Sequence, residues 1–191
     1  PDSEKAKADD LHLILIENAA EGDEALMEKY FEHDTLTIQE MREGVELGLI
    51  KRSIFPVLCS SAKHGIGTSR ILDFVINSCP PPQDMPAKKA GKKEYICDSK
   101  DTTAAFVFKT SVEQHLGEVS YFKLYGGELK EGQDLINTRT GNKERVSQLF
   151  ILNGKNREKV DHIVAGDIAV TIKMKDVKTG DSLMDMKNGS A

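Results

Sequence analysis

Apolar residues recur along this chain with two different periods, and the change of period divides it. From the N-terminus the spacing is helical. Leu11, Leu13, Ile14, Ala19 and Ala20 lie in a segment that reads as an apolar helix of imperfect period. Leu26, Met27, Tyr30 and Phe31 then recur at the spacing of one helix face. Thr37-Ile38-Gln39-Glu40 is a capping box: the Thr37 hydroxyl accepts the amide three residues on while Glu40 reaches back to the Thr37 amide. A third helix is therefore expected to run to about Leu49. The apolar run Ser53 to Cys59 suits a short buried strand, with Pro56 tolerable only where its missing donor faces an edge. A loop, Ser60 to Gly67, leads to a last helix holding Ile71, Leu72, Phe74, Val75 and Ile76.

Further on the period becomes two. Phe106 and Phe108 alternate with Val107 and Lys109, and Val119, Tyr121, Lys123 and Tyr125 face away from Ser120, Phe122 and Leu124. Gly126-Gly127, Lys130-Glu131-Gly132, Thr140-Gly141-Asn142, Asn153-Gly154 and Gly166-Asp167 read as turns. Strands are expected near 104–112, 117–126, 134–138, 143–152, 167–175 and 182–184. So many short strands suggest a closed antiparallel β-barrel or a sandwich, and closure favours the barrel because it hides the edges. Between the two regions, Pro80-Pro81-Pro82 continues neither helix nor sheet. Gln83 to Lys93 holds four lysines, Pro86 and Gly91, and reads as an exposed linker. The expected organisation is a mostly helical unit at 1–79, a linker at 80–100, a barrel at 101–184 and a tail at 185–191. The fold class is α+β in two units.

Composition narrows the function. Of 191 residues 39% are hydrophobic, enough for a packed core, and the run Leu13 to Ile16 is far too short to span a bilayer. The chain begins with Pro1 rather than Met and ends in Lys187-Asn188-Gly189-Ser190-Ala191, as expected of a piece of a longer protein. Cys59, Cys79 and Cys97 form no CxxC pair, so reduced thiols in a cytoplasmic protein are expected. His12, His33, His64, His115 and His162 form no metal-binding pair, and no metal site is expected. Gly65-Ile66-Gly67 lacks the third glycine of a dinucleotide fingerprint, and no GxxxxGK[ST] phosphate loop occurs in the sequence.

Charge is uneven. Residues 1–79 carry 8 basic and 15 acidic groups, a poor nucleic-acid surface. Between Asn137 and Val160 of the barrel, by contrast, Arg139, Lys143, Arg145, Lys155, Arg157 and Lys159 stand against only Glu144 and Glu158. Such a local excess is a candidate footprint for a phosphate backbone, or else a well-solvated hairpin tip. Ser60-Ser61-Ala62-Lys63 sits where a strand is expected to pass into a helix, the end of an α/β fold at which ligands bind. Its small residues let a planar base approach the backbone.

Taken together these segments resemble bacterial elongation factor G, a translational GTPase family. Ile54 to Ala62 with Gly65-Ile66-Gly67 and Leu72-Asp73 resembles the family's last GTPase-domain strand and its guanine-recognition loop. Glu17 to Asp23 and Leu26 to Tyr30 look like the helical segment before that strand. Phe106-Val107-Phe108-Lys109, Gly117-Glu118-Val119, Tyr125 to Leu129, Lys143-Glu144-Arg145, Ala165 to Ala169 and Lys178 to Leu183 resemble the second domain, in collinear order. The resemblance implies a ribosome-dependent GTPase acting in translocation, of which this chain is the end of the GTPase domain with its inserted helical region, then the barrel that docks on small-subunit RNA. It implies that Ser61, Ala62 and Lys63 line the guanine pocket of an intact parent using GTP or GDP with magnesium. No cofactor is expected in this chain, and no catalytic residue. Its expected partners are the ribosome and the remaining domains of the parent, with no membrane. The phosphate loop, switch segments and Asn-Lys-x-Asp motif are absent from this sequence, so the chain itself is not expected to hydrolyse GTP. Gly126-Gly127-Glu128-Leu129 departs from the family's Ser-Gly-Thr-Leu type turn and leaves open a divergent paralogue, such as a ribosomal-protection or peptide-release GTPase. An interaction barrel with no RNA contact is the reading from another class.

Overall fold

The computed structural model describes residues 2–90, 93–113, 117–154 and 156–185, and the chain divides into two compact units, Pro1–Pro81 and Pro82–Ala191. In the first unit, helices α1 (Lys5–Ala20), α2 (Glu24–His33), α3 (Ile38–Lys51) and α4 (Thr68–Ser78) follow one another. Asp23 starts α2 by accepting the Ala25 amide at 2.9 Å. The Thr37–Glu40 capping box starts α3 as expected, with both reciprocal bonds formed. Ile16, Ala19, Ala20, Leu36 and Val45 form the core, with Met27, Tyr30, Met41 and Phe74 packed against it. The helices α1 and α3 meet backbone to backbone. A Cβ at Gly44 would stand 2.2 Å from the Ala19 carbonyl oxygen, so only glycine permits that crossing. The imperfect period of α1 has a counterpart here: Ile16, Ala19 and Ala20 are buried, while Leu11, Leu13, Ile14 and Leu15 remain exposed.

The buried strand expected at Ser53 to Cys59 does not form. This stretch pairs with no strand among the described residues, and Phe55 and Val57 are 77% and 91% exposed. An extended apolar run becomes a strand only where neighbouring backbone satisfies its donors and acceptors, and none is at hand here.

The second unit is an antiparallel β-barrel. Its main sheet contains β3 (Ala104–Glu113), β4 (Gly117–Gly126), β6 (Asp134–Asn137), β7 (Lys143–Arg145), β8 (Leu149–Asn153), β9 (Asn156–Val160), β11 (Ile168–Ile172) and β12 (Ser182–Asp185). Their order in the sheet is β7-β6-β12-β3-β4-β11-β8-β9. A second pair, β5 (Glu128–Lys130) with β10 (His162–Val164), helps to enclose the same core. Val107, Phe122, Leu124, Leu129, Leu135, Leu149, Ile163 and Leu183 reach into that core from seven different strands. Strand alternation sets which residues these are.

Three details differ from expectation. The single strand expected at 143–152 is two, β7 ending at Arg145 and β8 starting at Leu149, with Val146 still bonded through its carbonyl and amide to Gly132 and Gln133 before β6. The strand expected to reach 175 stops at Ile172, where Lys173 adopts a left-handed conformation (φ 62°). The stretch 80–100, expected as linker, is partly ordered: β1 (Lys88–Ala90) pairs with β2 (Lys93–Tyr95), and Tyr95 is buried with its hydroxyl 3.4 Å from Met184 Sδ. One aromatic anchor outweighs the polar composition around it.

Candidate nucleic-acid interface

Of the basic residues singled out in the barrel, Lys143 and Arg145 lie on β7, Arg157 and Lys159 on β9 and Arg139 in the turn after β6. Their surroundings separate them into two kinds. Arg139, itself exposed, reaches into a polar network whose other members, Asn137 and Asp181, are buried. Its Nε and Nη2 donate to the two Asp181 oxygens at 2.7 and 3.0 Å, and Nη2 also reaches the Asp176 carbonyl and carboxylate. Asn137, fully buried, donates to Asp181 at 2.8 Å and to the Asp176 carbonyl at 3.0 Å, while the Lys178 amide donates to Asp181 at 2.9 Å. The Arg139 guanidinium above all, then the Lys178 amide and Asn137, hold the Asp181 carboxyl down at about 2 against the opposing effect of burial. Such a fork binding a carboxylate is a fastening between the end of β6 and the loop before β12. Beside it Glu144, also buried, accepts the amides of Lys175 and Asp176.

Lys143, Arg145 and Lys159 are different. All three are half exposed or more, each facing one carboxylate: Lys143 and Arg145 share Asp134 at 2.8 and 3.8 Å, and Lys159 meets Glu131 at 2.9 Å. The hydrogen bond from Lys143 holds the Asp134 carboxyl below its ordinary range. Exposed pairs of this kind contribute little and exchange partners readily. Arg157 is paired with Glu113, which also accepts from the Tyr121 hydroxyl, so it ties β9 to the outer face of β3–β4. Lys155 lies outside the described residues. The structure thus brings three cations into solvent and turns two into fastenings. A charge count alone passes over the outer face of β3–β4, where lysines and rings alternate; the signal was the run Tyr121-Phe122-Lys123-Leu124-Tyr125.

In the first unit Ser61, Ala62 and Lys63 enter a single 3₁₀ turn, Ala62–His64. Ser61 and Ile66 exchange amide-to-carbonyl bonds at 2.9 and 3.1 Å, and the Gly65 amide closes on the Ala62 carbonyl. Ala62 and Lys63 lie exposed in this loop. Gly67 ends the loop with φ 79°, and a Cβ there would stand 2.8 Å from the Cys59 carbonyl oxygen. Among the described residues no three His, Cys, Asp or Glu side chains gather as a metal site would need, and no helix is long and apolar enough to cross a membrane.

Comparison with known proteins adds two findings. The family model for elongation factor G domain 2 matches residues 102–186, the span of the barrel. Among solved structures, the crystal structure of ttk003000868 from Thermus thermophilus is similar over 100% of this chain, with a TM-score of 0.77 and 24% sequence identity. This chain spans 27% of that structure's length. At that identity the likeness is one of fold. The chain is α+β, a helical part followed by an elongation-factor-type β-barrel.

Proposed function

We propose that this chain, whose barrel is an elongation factor G domain 2, is part of a cytoplasmic ribosome-dependent translational GTPase and serves as its docking module on small-subunit RNA. The match of residues 102–186 to that family's second domain carries the proposal. The collinear order of the motifs that precede the barrel supports it. Lys143, Arg145 and Lys159, exposed and held only by surface carboxylates, would be the cations that meet phosphates. Arg139 is excluded, because its fork is committed to Asp181.

Residues 1–79 are then the trailing part of the GTPase domain with its inserted helical region. In the intact protein the loop at Ser61, Ala62 and Lys63 would meet the guanine base of GTP or GDP. The small side chains of Ser61 and Ala62 in an exposed loop support that reading. The sequence holds no phosphate loop, so the triphosphate and its magnesium ion would be bound by other segments of the parent. By itself this chain would position no γ-phosphate and hydrolyse no GTP. Translocation is the parent's proposed role.

Co-sedimentation with purified small and large ribosomal subunits tests the docking claim. The chain should pellet with small subunits and not with large ones. Equal pelleting with both, or with neither, would overturn it.

A further inference from the structure

On the outer face of the barrel, lysine ammonium groups lie against aromatic rings. Lys109 Nζ is 4.8 Å from the centre of the Tyr121 ring, and Lys123 Nζ is 5.5 Å from that of Tyr125. Strand alternation is the cause. Phe122 and Leu124 point into the core, so Tyr121, Lys123 and Tyr125 share the opposite face of β4. On β3, Val107 points inward and Phe106 stands opposite Lys123. The register shifts between Val107 and Lys109, a bulge that sets Phe108 and Lys109, successive residues, both beside Tyr121. Phe106 and Phe108 are left 37% and 41% exposed. A groove of about 220 Å³ continues the face past Phe106, lined by Tyr125, Met184, Lys88 and Lys89.

The charge of this face is one-sided. Among the described residues no carboxylate lies within ion-pair distance of Lys88, Lys109 or Lys123, whereas Glu94, Asp101 and Glu113 at its margins are each held by a cation, Lys89, Lys93 and Arg157 respectively. Part-exposed rings interleaved with lysines that no carboxylate pairs form a stacking platform for unpaired bases with phosphates alongside. A duplex offers no unstacked base to such rings. A second copy of the chain would bring like charge against like.

We propose that Phe106, Phe108 and Tyr125, with Lys88, Lys109 and Lys123, bind single-stranded RNA. The rings stack on unpaired bases and the lysines meet the intervening phosphates. The source of that RNA, the small ribosomal subunit, rests on the docking function proposed above; the platform and its preference for unpaired bases go beyond it.

The test is fluorescence anisotropy of a labelled oligouridine, and of a labelled RNA duplex of equal length, titrated with the full chain at two salt concentrations. The single strand should bind more tightly than the duplex. Changing Phe106→Ala and Phe108→Ala together should weaken single-strand binding by about tenfold or more, the loss expected when two bases lose the rings they stack on. Phe106→Tyr with Phe108→Tyr keeps the rings and should keep the affinity. Lys109→Gln with Lys123→Gln, which leaves every ring in place, should flatten the salt dependence by about 0.7 per lost phosphate contact. Equal binding of duplex and single strand, or unchanged affinity in both the alanine and the glutamine variants, would overturn the platform. If those variants also pellet with small subunits as the parent chain does, docking stands while the platform falls. Oligouridine binding that depends on the rings, in a chain that ignores small subunits, would leave the platform standing and overturn docking.

Discussion

Replacing Asp181 by Asn should weaken the barrel by about 2 kcal/mol at neutral pH and by much less in acid. Asp181 is only 4% exposed and its carboxylate accepts bonds from Arg139 Nε, Arg139 Nη2, Asn137 Nδ2 and the Lys178 amide. Those donors hold its pKa at about 2, against an ordinary value of 3.8. At about 1.4 kcal/mol per unit, the difference corresponds to about 2 kcal/mol of folding stability. The folded-state pKa lies below the unfolded one, so this contribution is complete above the unfolded value and fades as pH falls from about 4 towards 2. An asparagine keeps the shape but turns an NH₂ group towards donors that need an acceptor. Urea unfolding followed by the tyrosine near-ultraviolet circular dichroism would compare the two proteins at pH 7 and near pH 2. The gap in stability should shrink as the carboxyl of the parent chain is protonated. A gap of the same size at both pH values would refute the assignment of Asp181 as an ionised fastening, and with it the exclusion of Arg139 from the RNA surface.

Other outcomes follow from single contacts. Thr37→Ala removes the hydroxyl that accepts the Glu40 amide and should cost the first unit about 1 kcal/mol, read from its thermal unfolding. Gly67→Ala forces a left-handed φ and a contact with the Cys59 carbonyl oxygen, so limited proteolysis should cut between Ser60 and Thr68 faster than in the parent chain. Titration with a fluorescent GDP should show no saturable binding at micromolar concentration, because the proposed base-contacting loop without a phosphate cradle would hold little of the nucleotide; micromolar saturation would contradict this.

Much of the fold is legible in the sequence because local physics decides it. The capping box at Thr37 and the alternation through Val119 to Tyr125 are short-range signals, and the structure keeps both. The failures share a cause of another kind. Ser53 to Cys59 has the composition of a buried strand, but pairing depends on partners that composition does not show. Residues 80–100 look like linker until Tyr95 finds the barrel, a contact with Met184 far along the chain. The basic run at 139–159 was visible as charge, yet only the fold shows that Asp181 and Glu113 engage Arg139 and Arg157 while Lys143, Arg145 and Lys159 stay in solvent. Sequence spacing sets which face a strand residue takes. It does not say which carboxylate waits there.

The most direct test of the docking account is the salt dependence of binding to small ribosomal subunits, measured for this chain beside a variant carrying Lys143→Glu, Arg145→Glu and Lys159→Glu. Arg139 and Arg157 stay unchanged so that the barrel keeps its fastenings. The account predicts binding that weakens steeply with added salt, and a variant whose affinity is lower and whose dependence on salt is flatter. Binding of equal strength and equal salt sensitivity in the two proteins would contradict it.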